Sequence, residues 1–234
     1  MARNDLTIYD RHADGWWRSD DRTFRSLRAI SEFRLAWLER HLPFSLAGAM
    51  VADIGCGGGL LALPLAARGA RVVGLDHSLP SLRAAQRQAP GAAHLVCADL
   101  RRCPLRDTSA DLVLLADVLE HVADWPAALH EAARLLRPGG ALYVNTINRT
   151  RRARLLAVHL AEGLGLVPRG THDAALFVRP EELCRAAAHD GLRCRQLDGE
   201  APRLLATLRT GAIHLRQSRC LALAYTALFL KEPA

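Results

Sequence analysis

The sequence predicts an α/β fold with a sheet of about seven strands, and three observations carry that prediction. Apolar residues Ala49 to Ile54 run into four glycines within five positions, Gly55, Gly57, Gly58 and Gly59, before a helical pattern opens at Leu60. Three successive apolar runs end in acids, at Asp53, Asp76 and Asp99. A length of 234 residues suits one α/β domain with appended pieces and allows a substantial core.

Taken in order, Met1 to Asp21 are polar apart from an aromatic pair, Trp16 and Trp17, and are expected to be loosely held until those rings dock. From Thr23 to His41 the apolar residues Phe24, Leu27, Ile30, Leu35, Trp37 and Leu38 recur at helical spacing, with Ser31 and Glu32 able to open a second helix. This segment, 1–48, is expected to form a helical cap over the cleft.

The glycine turn follows the first strand. Glycine accepts positive φ and lets a ligand approach the backbone, and amides that open a helix can face a polar group. The dinucleotide fingerprint asks for glycine or alanine at its sixth position, where Leu60 stands. Asp53 suits a ligand bearing an ammonium group, such as S-adenosylmethionine, better than a pyrophosphate. Taken alone, the turn also reads as a purely structural loop. RVVGLD (71–76) places Asp76 where a carboxylate accepts both ribose hydroxyls, with His77 beside it. HLVCADL (94–100) offers Asp99 to the adenine amino group and Leu100 to the ring face.

The ordered set Asp53, Gly55, Gly57, Asp76 and Asp99, followed by LEHV (119–122) and LLRPGG (135–140), resembles the class I S-adenosylmethionine-dependent methyltransferases over roughly Ala49 to Asn145. The resemblance implies a doubly wound, Rossmann-like sheet, with Cys56 inside the cofactor turn.

A loop from Arg101 to Ser109 leads to DLVLLA (111–116), the fourth strand. If the next stretch is helical, Asp117, Glu120 and His121 share one face at i, i+3 and i+4. That cluster can bind a divalent cation, or its glutamate and histidine can simply shape the site. Pro126 to Leu136 reads as a helix stopped by Arg137, Pro138, Gly139 and Gly140, and ALYVNTIN (141–148) as the fifth strand. Substrate is expected beyond its end, near Asn145 and Asn148.

Within a lid or insertion spanning 149–190, Thr150 to Arg169 sets Arg149, Arg151, Arg152 and Arg154 beside Leu155, Leu156, Val158, Leu160, Leu164, Leu166 and Val167. Such a segment can rest on an anionic lipid surface or pack as a lid on its own domain; a lid that meets the bilayer does both. Pro180 to Asp190 reads as a helix, and Leu192–Leu197 and Leu221–Leu230 as a closing hairpin, with an irregular excursion at Gly199 to Cys220.

No apolar run reaches the length of a spanning helix and no secretory pattern is present, so a cytoplasmic location is expected, peripheral on the inner membrane face if the insertion meets lipid. Six cysteines lack metal-like spacing and read as buried small apolar residues. The formal charge of +7 rests on arginine, since Lys231 is the single lysine. It favours an anionic partner or reflects coding bias. Scattered arginines and the lack of an NPPY-like motif after the fourth strand argue against nucleic acid.

WWRSDDRTFRSLRAISEFRLAWL (16–38), the acid-x-x-Glu-His pattern at 117–121, and VPRGTHDAALFVRPEEL (167–183) narrow the resemblance to the O-methyltransferases of ubiquinone biosynthesis. That resemblance implies Arg34 pairing with the methionine carboxylate, Ala116 as a backbone contact to the cofactor, and Mg2+ or another divalent cation at Asp117, Glu120 and His121. The family usually carries glutamate where Asp117 stands, one methylene longer. His172 and Asp173, in GTHD, would face the substrate entrance. The implied acceptor is a polyprenyl phenol or catechol, activated by His121 as base or by a metal that stabilises the phenolate. The two roles compete for His121, which leaves His172 as a spare base. Two other readings stay open: an O-methyltransferase for another aromatic small molecule, and a lipid-binding member of a quinone-synthesis complex with weak catalysis.

Overall fold

Strands that are apolar on both faces need cover on both, and the chain supplies it with helices placed before, between and after them. The computed structural model describes residues 4–167 and 170–232, leaving out the side chains of residues 22–23 and 157–160. The expectations for Val158, Leu160 and Arg169 therefore lie outside the described residues.

Ahead of the sheet come α1 (Thr7–Arg11), a 3-10 turn (Ala13–Gly15) and α2 (Arg22–His41). The Asp21 carboxylate caps α2 by accepting from the Phe24 N–H. Ser31 and Glu32 open no second helix, because Phe24, Ile30, Leu35 and Leu38 bury one continuous face across that point.

The βα units follow as β1 (Met50–Ile54), α3 (Ala62–Ala67), β2 (Arg71–Asp76), α4 (Leu79–Gln88), β3 (His94–Cys97), β4 (Ala110–Ala116), α5 (Trp125–Leu135) and β5 (Leu136–Ile147). A short α6 (Arg151–Ala153) widens into a π-type coil at Arg154–Ala161. Then come α7 (Pro180–His189), β6 (Leu192–Pro202), α8 (Leu204–Thr210), β7 (Leu215–Ser218) and β8 (Ala224–Lys231). The sheet order is β3-β2-β1-β4-β5-β8-β6-β7, parallel through β5, with β8 antiparallel to β5 and β6. This is the doubly wound arrangement, with eight strands where about seven are expected. The additional strand is β7, which with α8 gives regular structure to the excursion at 199–220.

In β4, one of the two central strands, Val113 and Leu115 join the core under α5 and α7, whereas Leu112 and Leu114 join the core under α2, α3 and α4. The period of two thus feeds two cores from one strand. RPGG, expected to end a helix, lies inside β5: Ala110 pairs with Leu136, then Leu112 with Ala141, and Gly139 takes φ 78° in the bulge between. Cys56 and Cys103 are buried as expected, but Cys97, Cys194 and Cys220 are exposed. Among the described residues no helix is long and apolar enough to cross a membrane.

Candidate active site

Beyond the C-terminal ends of β1, β2 and β4 lies a cavity at the point where strand order reverses. Gly55 turns the chain there at φ 77°, and the N–H groups of Gly55 and Cys56 donate to the Leu75 carbonyl at 2.7 and 3.0 Å. A side chain at Gly55 would begin 2.5 Å from Val118 Cγ2. Asp76, ending β2, accepts from the N–H groups of Gly57 and Ser78, each at 2.8 Å. Asp53 is buried, and burial together with Asp76 pushes its carboxyl up to about 7. Burial likewise raises the Cys56 thiol well above its ordinary range.

Arg34, Asp53, Gly55, Cys56, Gly57, Asp76, His77, Leu100 and Ala116 all line this cavity. Asp99 does not: β3 stops at Cys97, and Asp99 faces an adjoining depression that shares His77, Leu100 and His121. Its carboxylate is held by Arg101, through the backbone N–H at 2.9 Å and Nη2 at 2.7 Å, which keeps it at about 2.

The glycine turn has a second reason to be bare. Trp16 lies against it, so that a Cβ at Gly57 would sit 2.8 Å from Cη2 of the indole and one at Gly58 2.3 Å from Cγ. The indole stacks on Tyr9 with ring centroids 5.7 Å apart and donates to Ser81 Oγ at 3.0 Å. Trp17 Nε1 donates to the Gly58 carbonyl at 2.8 Å. The tryptophan pair is therefore the cap's anchor.

The expected metal cluster is not assembled. Asp117 sits at φ 54°, outside any helix, and only Leu119–His121 form a 3-10 turn, so no helical face gathers the three side chains. Asp117 takes the Arg34 guanidinium instead. Glu120, buried, accepts from Thr146 Oγ1 at 2.7 Å, and burial with neighbouring Asp117 pushes its carboxyl up to about 8. His121 Nδ1 meets Asn4 Oδ1 at 2.9 Å, and the ring also bonds the Thr171 backbone; burial and His172 push it down to about 3. Among the described residues no group of three acidic, histidine or cysteine side chains could hold a metal ion. With a guanidinium on one candidate ligand and a proton favoured on another, these residues do not fit a divalent cation.

Other expectations also move. His172 stands with its ring centroid 5.5 Å from that of His121, and its Nδ1 lies 2.9 Å from Glu162 Oε1. Glu162 is buried and also accepts from the Gly170 N–H at 2.8 Å. It sits in the insertion without a recognisable motif, so only the fold exposes its role. Asp173 turns back on its own loop, accepting from the Ala175 N–H at 3.0 Å. Asn145 is wholly buried and donates to Glu200 at 2.9 Å, while Asn148 donates to the Leu221 carbonyl at 2.8 Å, so both build structure rather than face a substrate.

Comparison with known proteins agrees with this architecture. A methyltransferase domain model matches residues 52–144. A ubiquinone biosynthesis O-methyltransferase of Chromobacterium violaceum is 39% identical over 202 residues, which cover 83% of this chain and 85% of that one. This chain belongs to the ubiquinone biosynthesis O-methyltransferase family. A second member, from Methylobacterium sp., is 42% identical over 204 residues, covering 80% and 81% of the two chains. A third, from Methylococcus capsulatus, is 35% identical over 235 residues, covering 98% and 95%. At the level of fold, a magnesium protoporphyrin IX methyltransferase from Synechocystis, solved with S-adenosylhomocysteine, superposes with a TM-score of 0.68 at 19% identity, covering 97% and 95%. A methyltransferase from Thermotoga maritima gives 0.70 at 20% identity, covering 96% and 98%. As a ubiquinone biosynthesis O-methyltransferase family member, the chain is an O-methyltransferase with S-adenosylmethionine as its methyl donor.

Proposed function

We propose that the chain methylates a phenol or catechol hydroxyl of a polyprenylated quinone precursor. The observation that carries this reading is the acid-ended cavity of β1 and β2 lying beside the Glu162–His172 pair. Asp76 takes the ribose hydroxyls, Asp53 the ammonium group and Leu100 the adenine face. The acceptor oxygen attacks the methyl carbon in line as the bond from that carbon to the sulfonium sulfur breaks, and the phenolic proton leaves to a base. Holding the two reactants in line is worth roughly 7 to 11 kcal/mol in favourable cases.

His121 is a poor base here, since both sides of its ring are engaged and its proton affinity is low. We assign the proton to His172 Nε2, with Glu162 fixing the tautomer through Nδ1. No metal enters the step.

The lipid tail calls for an apolar source. β5 and β6 both run antiparallel to β8, so α6 and α8 leave the sheet at the same rim. There Leu155, Leu164, Leu204, Leu205 and Leu208 are exposed, the last two by 81% and 80%, among exposed Arg151, Arg152, Arg154, Arg203 and Arg209. Leucines among arginines match an anionic bilayer.

The test is methyl transfer from labelled S-adenosylmethionine to a short-tailed polyprenyl catechol, with and without chelator. Turnover that survives chelator and falls by at least about a hundredfold in His172→Gln supports the reading. Cofactor binding without transfer moves the acceptor to another aromatic small molecule.

A further inference from the structure

Glu200, near the end of β6 and at the start of the excursion at 199–220, has no part in the steps above. Its side chain is buried, and a buried carboxylate persists only when paired and hydrogen-bonded. It accepts from Arg34 Nε at 3.3 Å and Nη2 at 3.2 Å, from Asn145 Nδ2 at 2.9 Å and from Thr226 Oγ1 at 2.6 Å. The paired contact occupies the Nε–Nη2 edge of the guanidinium. Nη1 is left to Asp117, and Arg34 and Asp117 both line the cavity.

One turn further along α2, Trp37 Nε1 donates to Asp198 Oδ2 at 3.0 Å. Residues 34 and 37 share a helix face at i, i+3, and residues 198 and 200 share a strand face at i, i+2, so the two contacts form matching rungs between α2 and β6. The register of the helix on the strand is thereby fixed, and with it the place of the guanidinium.

We propose that Glu200 is a positioning residue for the cofactor. It clamps Arg34 by its Nε–Nη2 edge so that Nη1 receives the methionine carboxylate of S-adenosylmethionine, with Asp117 holding Nη1 until the cofactor arrives. The proposal rests on the reading that Arg34 meets this carboxylate.

The test is calorimetric binding of S-adenosylhomocysteine and of 5′-methylthioadenosine, which keeps the adenosine and lacks the amino-acid end. The quantity read is the ratio of the two affinities in the full chain. Arg34→Lys keeps a counter-charge for Glu200 but loses the fork, and lowers the ratio about tenfold. Glu200→Gln sets an amide N–H against the guanidinium N–H groups and drives Arg34 onto Asp117. It lowers the ratio about tenfold as well, leaves 5′-methylthioadenosine binding unchanged, and adds nothing further in the Arg34→Lys background. Asp117→Asn removes the competing carboxylate and raises the ratio.

An unchanged ratio in Arg34→Lys overturns the reading of Arg34 itself. A lowered ratio in Arg34→Lys but not in Glu200→Gln, or a Glu200→Gln loss shared equally by both nucleosides, overturns the positioning role alone and leaves Glu200 a purely structural residue. A fall in Asp117→Asn overturns the placeholder role. Should Glu200→Gln fail to fold, Glu200→Asp, which keeps the charge and withdraws the carboxylate by one methylene, is measured against the same criterion.

Discussion

Replacing Gly58 by alanine asks whether the glycine turn is shaped by the cap as well as by the ligand. Gly58 is not among the residues at positive φ, so alanine brings no backbone strain and the effect is steric. The new methyl group would lie 2.3 Å from Trp16 Cγ, 2.5 Å from Cδ2 and 2.7 Å from Cβ. Those atoms sit at the root of the indole, so a rotation of its far edge brings no relief. The ring must leave its place between Tyr9 and Phe24, and with it the bond to Ser81.

Overpacking of this kind costs about 1 to 3 kcal/mol, and the lost hydrogen bond about 1 kcal/mol more. A total of about 2 to 4 kcal/mol corresponds to a fall in Tm of roughly 4 to 16 °C for a domain of this size. Thermal unfolding followed by circular dichroism without cofactor reads that fall, and tryptophan emission reads the displaced indole. In a Trp16→Gly background all three of these atoms are gone, and the penalty disappears. Were the cofactor-free Gly58→Ala protein to melt with its parent, the cap's claim on the turn would be refuted.

Three further outcomes are expected. Asp53 is protonated below its value of about 7 and ionised above it; an ammonium-bearing cofactor favours the ionised form, so affinity for S-adenosylmethionine tightens up to about tenfold from pH 6 to 8. Asp53→Asn flattens that rise, and calorimetry across the range checks it. Because His121 is held neutral down to about 3, it sets no limb near neutrality in the pH–rate profile; Glu162→Gln, which removes the carboxylate beside His172 Nδ1, lowers kcat at least about tenfold without weakening cofactor binding, whereas an unchanged kcat removes His172 from the role of base. Leu205→Glu with Leu208→Glu lowers co-sedimentation with anionic phosphatidylglycerol vesicles at least about tenfold without altering turnover of a water-soluble catechol; equal sedimentation of variant and parent excludes α8 from the membrane face.

What could be read from the chain was what depends on near neighbours. RVVGLD is β2 to the residue, and the glycine turn, Asp53 and Asp76 follow from local spacing and strand ends, whereas Arg34 and Ala116, which also line the cavity, are legible only through the family resemblance. The misreadings have a common cause in partners distant in sequence. Asp117, Glu120 and His121 carry metal-ligand chemistry at helical spacing, but a positive φ at Asp117 breaks the helix, and Arg34, Thr146 and Asn4 claim the side chains. Glu162 and Glu200 lie in segments with no motif, and their importance rests on burial beside His172 and Arg34. RPGG does stop α5 at Leu135, but β5 opens at Leu136 and carries these four residues as a bulge between its pairs with β4.

The polar bonds that close the cavity join residues far apart along the chain: Asn4 to His121 across 117 positions, Trp37 to Asp198 across 161 and Arg34 to Glu200 across 166. The entropy of closing such loops is lost before their contacts form, whereas β1 to β5 can assemble from adjacent βα units. The cleft is therefore among the last parts of the molecule to mature. A ligand that binds only the finished cleft adds its binding free energy to the stability of the whole chain. Proteolysis draws on the incompletely closed population, so the methyl donor is expected to slow digestion of the chain, as limited proteolysis with and without S-adenosylmethionine reads directly.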